Sequence, residues 1–466
     1  MSQQFLLSFK KDVSFAEPEE TKDFVLRAPN RSMTFKQVQP GFKIALQALA
    51  SGGATLAELS QIVQNDDGDF PALIYAYLQK FSSLGWLCRS VVAEGKVIAI
   101  AIPLTSDCQF PDIEVAVDSV YRLSQFAYCH QVEGQLLLES PLSSMQVRLM
   151  DWKGAALLSQ LARSCSCREL MNTVPGISIE LAKQFINLLL STQMLDQVCK
   201  STIQEQANLS LAQWESHDLL SYARSREARH SNAFEGTYRF LNQIEPHMSE
   251  KTIELYKPDL RTLAMTETSF TQVLEVRKSI QQYGNPLSAQ QLGEFLYRTA
   301  RVKDVFQTEH GEVSYHPYPN EGALYELELY SIVNRCDGIP SGFYHYEPLS
   351  HQLWWISDKT EPVEALLSDA WQSMRRQGMS QVPQVLIVIA ARFQRLAWKY
   401  EPMAYALMLK HVGVLHQTMY LTATAMNLAS CGLGGGNSDS FTKAAGCDYD
   451  AETPVGEFAL GSQPNF

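Results

Sequence analysis

Apolar and polar residues alternate along 322–335, GALYELELYSIVNR. Leu327, Leu329, Ser331 and Val333 take one side, and Glu328, Tyr330, Ile332 and Asn334 the other. That two-residue period predicts a strand. Pro319, Asn320, Gly322 and Ala323 stand at its mouth. Small residues there either turn the chain or let something flat lie against the backbone. Farther on, WKYEPMAYALMLKHVGVLHQTMYLTATAMNLAS carries proline or glycine only at Pro402 and Gly413. Its apolar residues run round the whole helical circumference. This predicts one long helix, begun near Pro402 and buried on every side.

The first 200 residues carry the helical period instead, and carry it twice. Leu46 and Leu49 mark a first helix, Leu56 and Leu59 a short second, and Leu78, Phe81, Leu84 and Leu87 a longer third. Leu158 and Leu161, then Leu170 and Met171, then Ile186, Leu189 and Leu195 repeat the trio. Thr55 with Glu58 three residues on forms a capping box at the second helix. Alternating segments precede each trio, FLLSFKKDVSF and DFVLRA in one copy, YRLSQFAYCHQVEGQLLLES and MQVRLM in the other. Strands followed by three short helices describe a small winged-helix-like unit, here in tandem over residues 1–100 and 101–200. A polar, interrupted connector fills 201–270, and a larger domain spans 271–466. The whole reads as an α+β chain.

At 466 residues the chain exceeds what one hydrophobic core usually serves. Its net charge of −12 argues against nucleic acid as a partner. Neither third helix is rich in the Arg or Asn that reads base edges, so the winged-helix units do not read as DNA binders. No apolar run is long enough to span a membrane. Nine cysteines, an odd number and widely scattered, describe free thiols of a cytoplasmic protein rather than a disulfide framework. Cys165 and Cys167 form the only close pair, and no metal-ligand spacing accompanies them.

Candidate chemistry gathers in the last 200 residues. Arg277 and Ser279 are close enough in sequence for a guanidinium and a hydroxyl to share one phosphate. Ser288 caps a helix with Leu292, Phe295 and Leu296 on one face. The glycines of CGLGGGNSDS, 431–440, either cradle an anion on backbone N–H groups or simply end the preceding helix.

In chain order, Arg277-Lys278-Ser279, the stretch PNEGALYELELY, GFYHYEPLSHQL, Lys399-Tyr400 and the glycine run resemble the flavin-dependent azoline dehydrogenases of the nitroreductase superfamily, and among them the cyanobactin oxidases. The resemblance spans about residues 270–462, with HDLLSYARSR, 217–226, as a fainter echo. It implies a mostly antiparallel central sheet with surrounding helices, and FMN as the cofactor. Arg277 and Ser279 would hold the FMN phosphate, and Asn320, Gly322, Ala323 and Leu324 would lie beside the isoalloxazine. Gln281 stands where the family often has a second phosphate-binding Arg, so Gly434 and Gly435 of the glycine run are candidates to make up the difference. Lys399 and Tyr400 match the pair that removes a proton from the azoline ring. His411 and His416 read as core or flavin-shell residues rather than metal ligands. The long helix would cross the axis of a homodimer with flavin sites at its interface.

The implied reaction converts thiazolines or oxazolines in ribosomal peptides to thiazoles or oxazoles. The tandem units resemble precursor-peptide recognition elements, which capture a peptide as an added strand. Two rivals remain open at this level: a general NAD(P)H-dependent nitroreductase or quinone reductase, and a flavin-less scaffold that binds a peptide.

Overall fold

A computed structural model of the chain describes residues 5–16, 24–29, 31–36, 38–67, 71–106, 108, 110–111, 113–198, 211–226, 249–308, 311–375 and 380–464. The chain divides into two compact units, Met1–Ser231 and Asn232–Phe466. Of the expected connector, residues 201–210 and 227–248 lie outside the described residues.

In the first unit, strands Ser14–Ala16, Phe24–Ala28 and Arg31–Phe35 form a small antiparallel sheet. Helices Pro40–Ser51, Leu56–Asp67 and Pro71–Ser83 follow. Leu46, Leu49, Leu59 and Phe81 are fully buried where these helices meet, as their spacing requires. The capping box forms: the Thr55 amide donates to Glu58 Oε2 at 2.7 Å, and the Glu58 amide to Thr55 Oγ1 at 3.3 Å. The second repeat has the same order. Strands Tyr128–Val132, Gln135–Glu139 and Met145–Leu149 precede helices Trp152–Leu161, Cys167–Thr173 and Ile179–Ser191.

Leu87 and Leu195, expected on the third helices, belong to strands instead. Gly85 at φ +69° and Gln193 at φ +55° turn the chain out of the helix just before each. Leu87–Ala93 and Lys96–Pro103 then form a hairpin. Its two-residue turn, Glu94 at φ +51° and Gly95 at φ +75°, has both residues left-handed, which suits the strand twist. Lys96–Pro103 goes on to pair with Met145–Leu149, so both repeats share one seven-stranded sheet. Residue 100, the expected boundary, falls inside that strand. Cys165 and Cys167 are buried beside each other, and burial pushes both thiols up to about 11.

The second unit is built on a seven-stranded sheet paired antiparallel throughout, in the order Thr252–Glu254, Gln352–Ser357, Gly342–Glu347, Leu327–Val333, Val385–Arg392, Glu452–Ser462, Leu428–Leu433. Leu327, Leu329 and Val333 of the alternating segment join one core with Leu407, Met408, Leu415 and Met419 of the helix Ala404–Ala425. Tyr330 and Ile332 face the other way, into a core with Leu366, Leu367 and Phe441. Glu328 shares that second face. Burial alone would raise its carboxyl, but His345 at 2.9 Å and Arg392 at 3.1 Å hold it down to about 2.

The long helix departs from expectation in two ways. It starts at Ala404, just after Pro402, but Lys399 and Tyr400 end a separate helix, Phe393–Tyr400. Glu401, at φ +32°, makes the break. Nor is it buried all round: Tyr405 and Leu409, one turn apart, are 51% and 46% exposed. No helix among the described residues is long and apolar enough to cross a membrane.

Gly436 packs closely against a buried acid. A Cβ there would overlap the carboxylate of Glu457, which is itself only 4% exposed. Burial raises the Glu457 carboxyl from 4.5 to about 7. A pKa raised by folding gives stability that is intact below the unfolded value and lost as pH climbs through the folded one. Glu457→Gln should therefore raise the melting temperature at pH 8 by roughly 6–12 °C, a gain on the order of 3 kcal/mol. At pH 4.5 the variant and the parent should melt together. Thermal scans at both pH values check this; an equal shift at each would show that the charge is not the cause.

Candidate functional site

Two clusters of side chains form around the long helix. The first holds the mouth of the strand Leu327–Val333. Gly322, Ala323 and Tyr325 have φ of +64°, +54° and +43°, so three residues of one short loop lie in the left-handed region. Only the glycine adopts it freely. The surroundings keep this loop in place. Asn320 Oδ1 accepts from the Tyr325 amide at 3.0 Å, and Asn320 Nδ2 donates to Glu326 Oε2 at 2.7 Å. His411, buried on the long helix, contributes both ring nitrogens. Its Nε2 accepts from the Glu321 amide at 3.0 Å, so Nδ1 carries the hydrogen and donates to Glu326 Oε1 at 2.7 Å. Glu326 is fully buried, and these donors satisfy it.

The same loop meets Lys399 and Tyr400. A Cβ on Gly322 would lie 2.8 Å from Tyr400 Oη and 3.4 Å from Lys399 Nζ. The ammonium stands 5.5 Å from the Tyr400 ring centroid. Gly322 is exposed, Lys399 and Tyr400 half-buried, so a flat ligand laid on the glycine would touch a hydroxyl and an ammonium together.

The second cluster centres on Tyr420, on the same helix. Its hydroxyl accepts from the Gly432 amide at 2.7 Å and hydrogen-bonds Ser279 Oγ at 2.9 Å. The Arg277 guanidinium lies over its ring, 5.1 Å from the centroid. Arg277 and Ser279 thus sit side by side, Ser279 exposed and Arg277 half-buried. Gln281, two residues on, donates to Cys431 Sγ at 3.5 Å. His416 lies between the clusters, with Nε2 buried and unpartnered, close against Gly432 and Gly456. Burial holds this imidazole below its ordinary pKa.

The glycine run differs from a nest. None of Gly434, Gly435 and Gly436 lies in the left-handed region that alternates with αR in such anion cradles. All three are exposed, and Gly435 and Gly436 border a cavity of about 460 Å³ whose wall includes Asp369 and Asp439. Two carboxylates repel a phosphate there. Tyr420 and Glu326 were not singled out from sequence. Glu326 is the acid inside GALYELELY that faces neither period cleanly; Tyr420 has no neighbouring motif to mark it.

Three family models match successive parts of the chain: the helix-turn-helix domain of ThcOx over residues 1–111, the cyanobactin oxidase ThcOx over 121–231, and the nitroreductase family over 274–462. A nitroreductase-like protein of Methanocaldococcus jannaschii is 27% identical over 184 residues, 39% of this chain and 84% of its own length. Among solved structures, one from Ralstonia eutropha described as a nitroreductase aligns at 19% identity and a TM-score of 0.37, covering 50% of this chain and 99% of its own. The Escherichia coli microcin synthetase McbBCD, solved with truncated pro-MccB17 bound, aligns at 19% identity and a TM-score of 0.33, covering 46% of this chain and 85% of the matched one. The chain is thus similar to the cyanobactin oxidase ThcOx through its first 231 residues, with an N-terminal helix-turn-helix domain, and to the nitroreductases in its C-terminal fold.

Proposed function

We propose that this oxidoreductase uses FMN to dehydrogenate thiazoline or oxazoline rings in ribosomally made peptides. One observation carries the reading: Gly322, in the loop that would border the isoalloxazine, lies directly against Tyr400 Oη and Lys399 Nζ. The rest of the flavin would fit the second cluster. Arg277 and Ser279 offer a phosphate a guanidinium and a hydroxyl, and Asn320, Ala323 and Leu324 line the ring side. Gly434 and Gly435 present bare backbone to the ring rather than a charge to the phosphate, and Gln281 adds an amide near Cys431.

Aromatising an azoline removes a proton from one ring carbon and a hydride from its neighbour, leaving a new ring double bond. When bound, FMN supplies the hydride acceptor, with oxygen to restore it. The chain's own part is to position the ring and take the proton. Tyr400 Oη and Lys399 Nζ stand together at the Gly322 surface, so whichever of the two has already given up its own proton, Tyr400 as phenolate or Lys399 as free amine, can receive it while the other stays protonated beside it. The strained loop keeps its shape through His411 and Glu326 before any substrate arrives, which spares the ordering cost at binding.

A second copy of the chain would complete the site. Tyr405 and Leu409 on the long helix, and Phe270 and Val276 on the helix Phe270–Val276 that packs against it, are exposed apolar side chains suited to burial in a homodimer. The two winged-helix-like repeats would hold the precursor peptide. Eight of the nine cysteines are described, and all eight are free, in keeping with work in the cytoplasm.

Purified protein should be yellow, with an absorbance band at about 450 nm. It should oxidise a thiazoline peptide without NAD(P)H; a strict need for NAD(P)H would favour a general nitroreductase. Tyr420→Phe removes a single hydroxyl but frees the Gly432 amide and Ser279. We expect FMN to bind roughly ten-fold more weakly, and Arg277→Ala to purify folded but largely colourless; full FMN retention in both would refute the phosphate assignment. Tyr400→Phe and Lys399→Ala should keep FMN and peptide affinity while turnover falls about 10²–10⁴-fold. Single-turnover bleaching of the flavin reads this directly, and wild-type rates in both variants would place the base elsewhere.

A further inference from the structure

What repels a phosphate attracts a cation. The cavity of about 460 Å³ bordered by Gly435 and Gly436 draws its walls from two helices that pack against each other, Glu361–Arg375 and Ser438–Ala445. Leu366 and Leu367 of one and Phe441 of the other share a buried core, so the walls keep their place without a ligand. Asp369 stands on the first helix, and Asp439 in the first turn of the second. Asn437 caps that turn, accepting from the Ser440 amide at 3.0 Å, and donates through Nδ2 to Asp369 Oδ2 at 2.9 Å. Asp369 is thereby oriented but not neutralised. Neither aspartate has an ion-pair partner among the described residues. Arg375 of the same helix rests instead over the Trp371 ring, 5.3 Å from its centroid.

Helix stability explains one of these acids. An acid in the first turn answers the N-terminal field of its own helix, which amounts to about half a unit charge. That accounts for Asp439 and leaves Asp369 over. A third carboxylate stands behind the wall. Glu457 is 4% exposed, and its carboxyl has no hydrogen-bond or ion-pair partner among the described residues. It reaches the wall at Gly436, filling the space into which a side chain there would project. A buried acid without a donor is costly. A cation seated in this cavity would answer all three.

Tyr449 adds an exposed aromatic ring to the cavity wall. Its loop is tied to the start of the helix that ends in Lys399 and Tyr400. The Phe393 amide donates to the Ala451 carbonyl at 3.3 Å, and Gln394 Nε2 to the Asp450 carbonyl at 3.0 Å. The helix carries Tyr400 about 10 Å beyond that tie, a span that an extended peptide covers in about three residues. Among the described residues, no three acidic, histidine or cysteine side chains converge to hold a metal ion, and the cavity is far roomier than an ion needs. Two carboxylates with an aromatic ring beside them suit a guanidinium, whose planar fork offers five donors and stacks on an aromatic face. A lysine ammonium has three donors and no plane to stack.

Resting on the reading that the substrate is an azoline-bearing peptide, we propose that this cavity is a specificity subsite for an arginine side chain of that peptide, within about four residues of the ring. Asp369 and Asp439 pair with the guanidinium, Tyr449 stacks on it, and Glu457 adds to the field from behind Gly436. The arginine then sets which ring along the peptide reaches Lys399 and Tyr400.

The test uses the full FMN-loaded chain and synthetic peptides that carry a thiazole, the already oxidised ring, so that binding is read without turnover. One arginine is moved from one to four residues away on either side of the ring. Each peptide is matched by one with citrulline, which keeps the shape and loses the charge. Calorimetry should find at least one position where arginine binds about ten-fold more tightly, the scale of two partly exposed ion pairs. That preference should shrink in high salt. Asp369→Asn can still accept from Asn437, and Asp439→Asn keeps the size of the side chain; each should bring the arginine peptide most of the way to the citrulline level. Asp369→Lys should turn the preference towards a glutamate peptide. Equal binding of arginine and citrulline at every position, a preference untouched in both Asn variants, or no binding of any peptide would each overturn the proposal. Oxidation of the matching citrulline thiazoline peptide is measured separately. Its absence would count against the proposed reaction; its presence without an arginine preference would count against this subsite alone.

Discussion

The hydrogen bond from His411 Nδ1 to Glu326 Oε1, 2.7 Å long, ties the long helix to the mouth of the central strand, and the loop between them takes its shape from it. A fully buried carboxylate is costly unless several donors reach it. Here His411 and Asn320 both do, and the second nitrogen of the same imidazole anchors the Glu321 amide. The left-handed φ values of Ala323 and Tyr325 are tolerated because those anchors flank them on both sides. Without the histidine, the carboxylate would lose its main partner and the loop its clamp, a loss on the order of 3–5 kcal/mol for a buried pair.

That arrangement explains why the two halves of the candidate centre meet. Gly322 is free of a side chain where Tyr400 and Lys399 close in, and Glu401 breaks the backbone just after them. Were the helix Phe393–Tyr400 continuous with Ala404–Ala425, its last turn would be carried along the axis of the long helix. The break lets a short segment with its own direction end at the glycine.

Elements with an unambiguous period could be read from the amino acids alone. Leu327, Leu329 and Val333 alternate and are buried on one face, and Leu46, Leu49 and Leu59 recur at helical spacing and pack together. Arg277, Ser279, Gly322, Lys399 and Tyr400 stand out as candidates only because the order of their motifs resembles a known family. The failures have local causes. Leu87 and Leu195 continue the leucine spacing of a helix past its end, and only a left-handed residue before each diverts the chain. The Glu94-Gly95 turn was a usable hairpin signal, but it sits between two apolar runs with no clean alternation. Tyr420 is silent in sequence because its role depends on Ser279 and Gly432, which reach it from other elements. The break at Glu401 is silent too, since nothing about a glutamate announces φ +32°.

Net charge was the coarsest guide of all. A total of −12 argues against an extended phosphate polymer, yet it says nothing of a single phosphate. What matters locally is whether a cation is already neutralised. Arg392 is: it is buried between Glu328 at 3.1 Å and Glu452 at 3.2 Å and serves the sheet. Arg277 is not. Among the described residues no carboxylate lies within ion-pairing distance of it, and its guanidinium rests on the Tyr420 ring, an aromatic face that orients the cation without cancelling its charge. An arginine held this way keeps its full field for an anion, and the hydroxyl of Ser279 stands beside it. The proposed phosphate site would therefore rest on one arginine without a carboxylate partner among the described residues, and the pairing of each cation, rather than the sum of all of them, bears on what such a chain can bind.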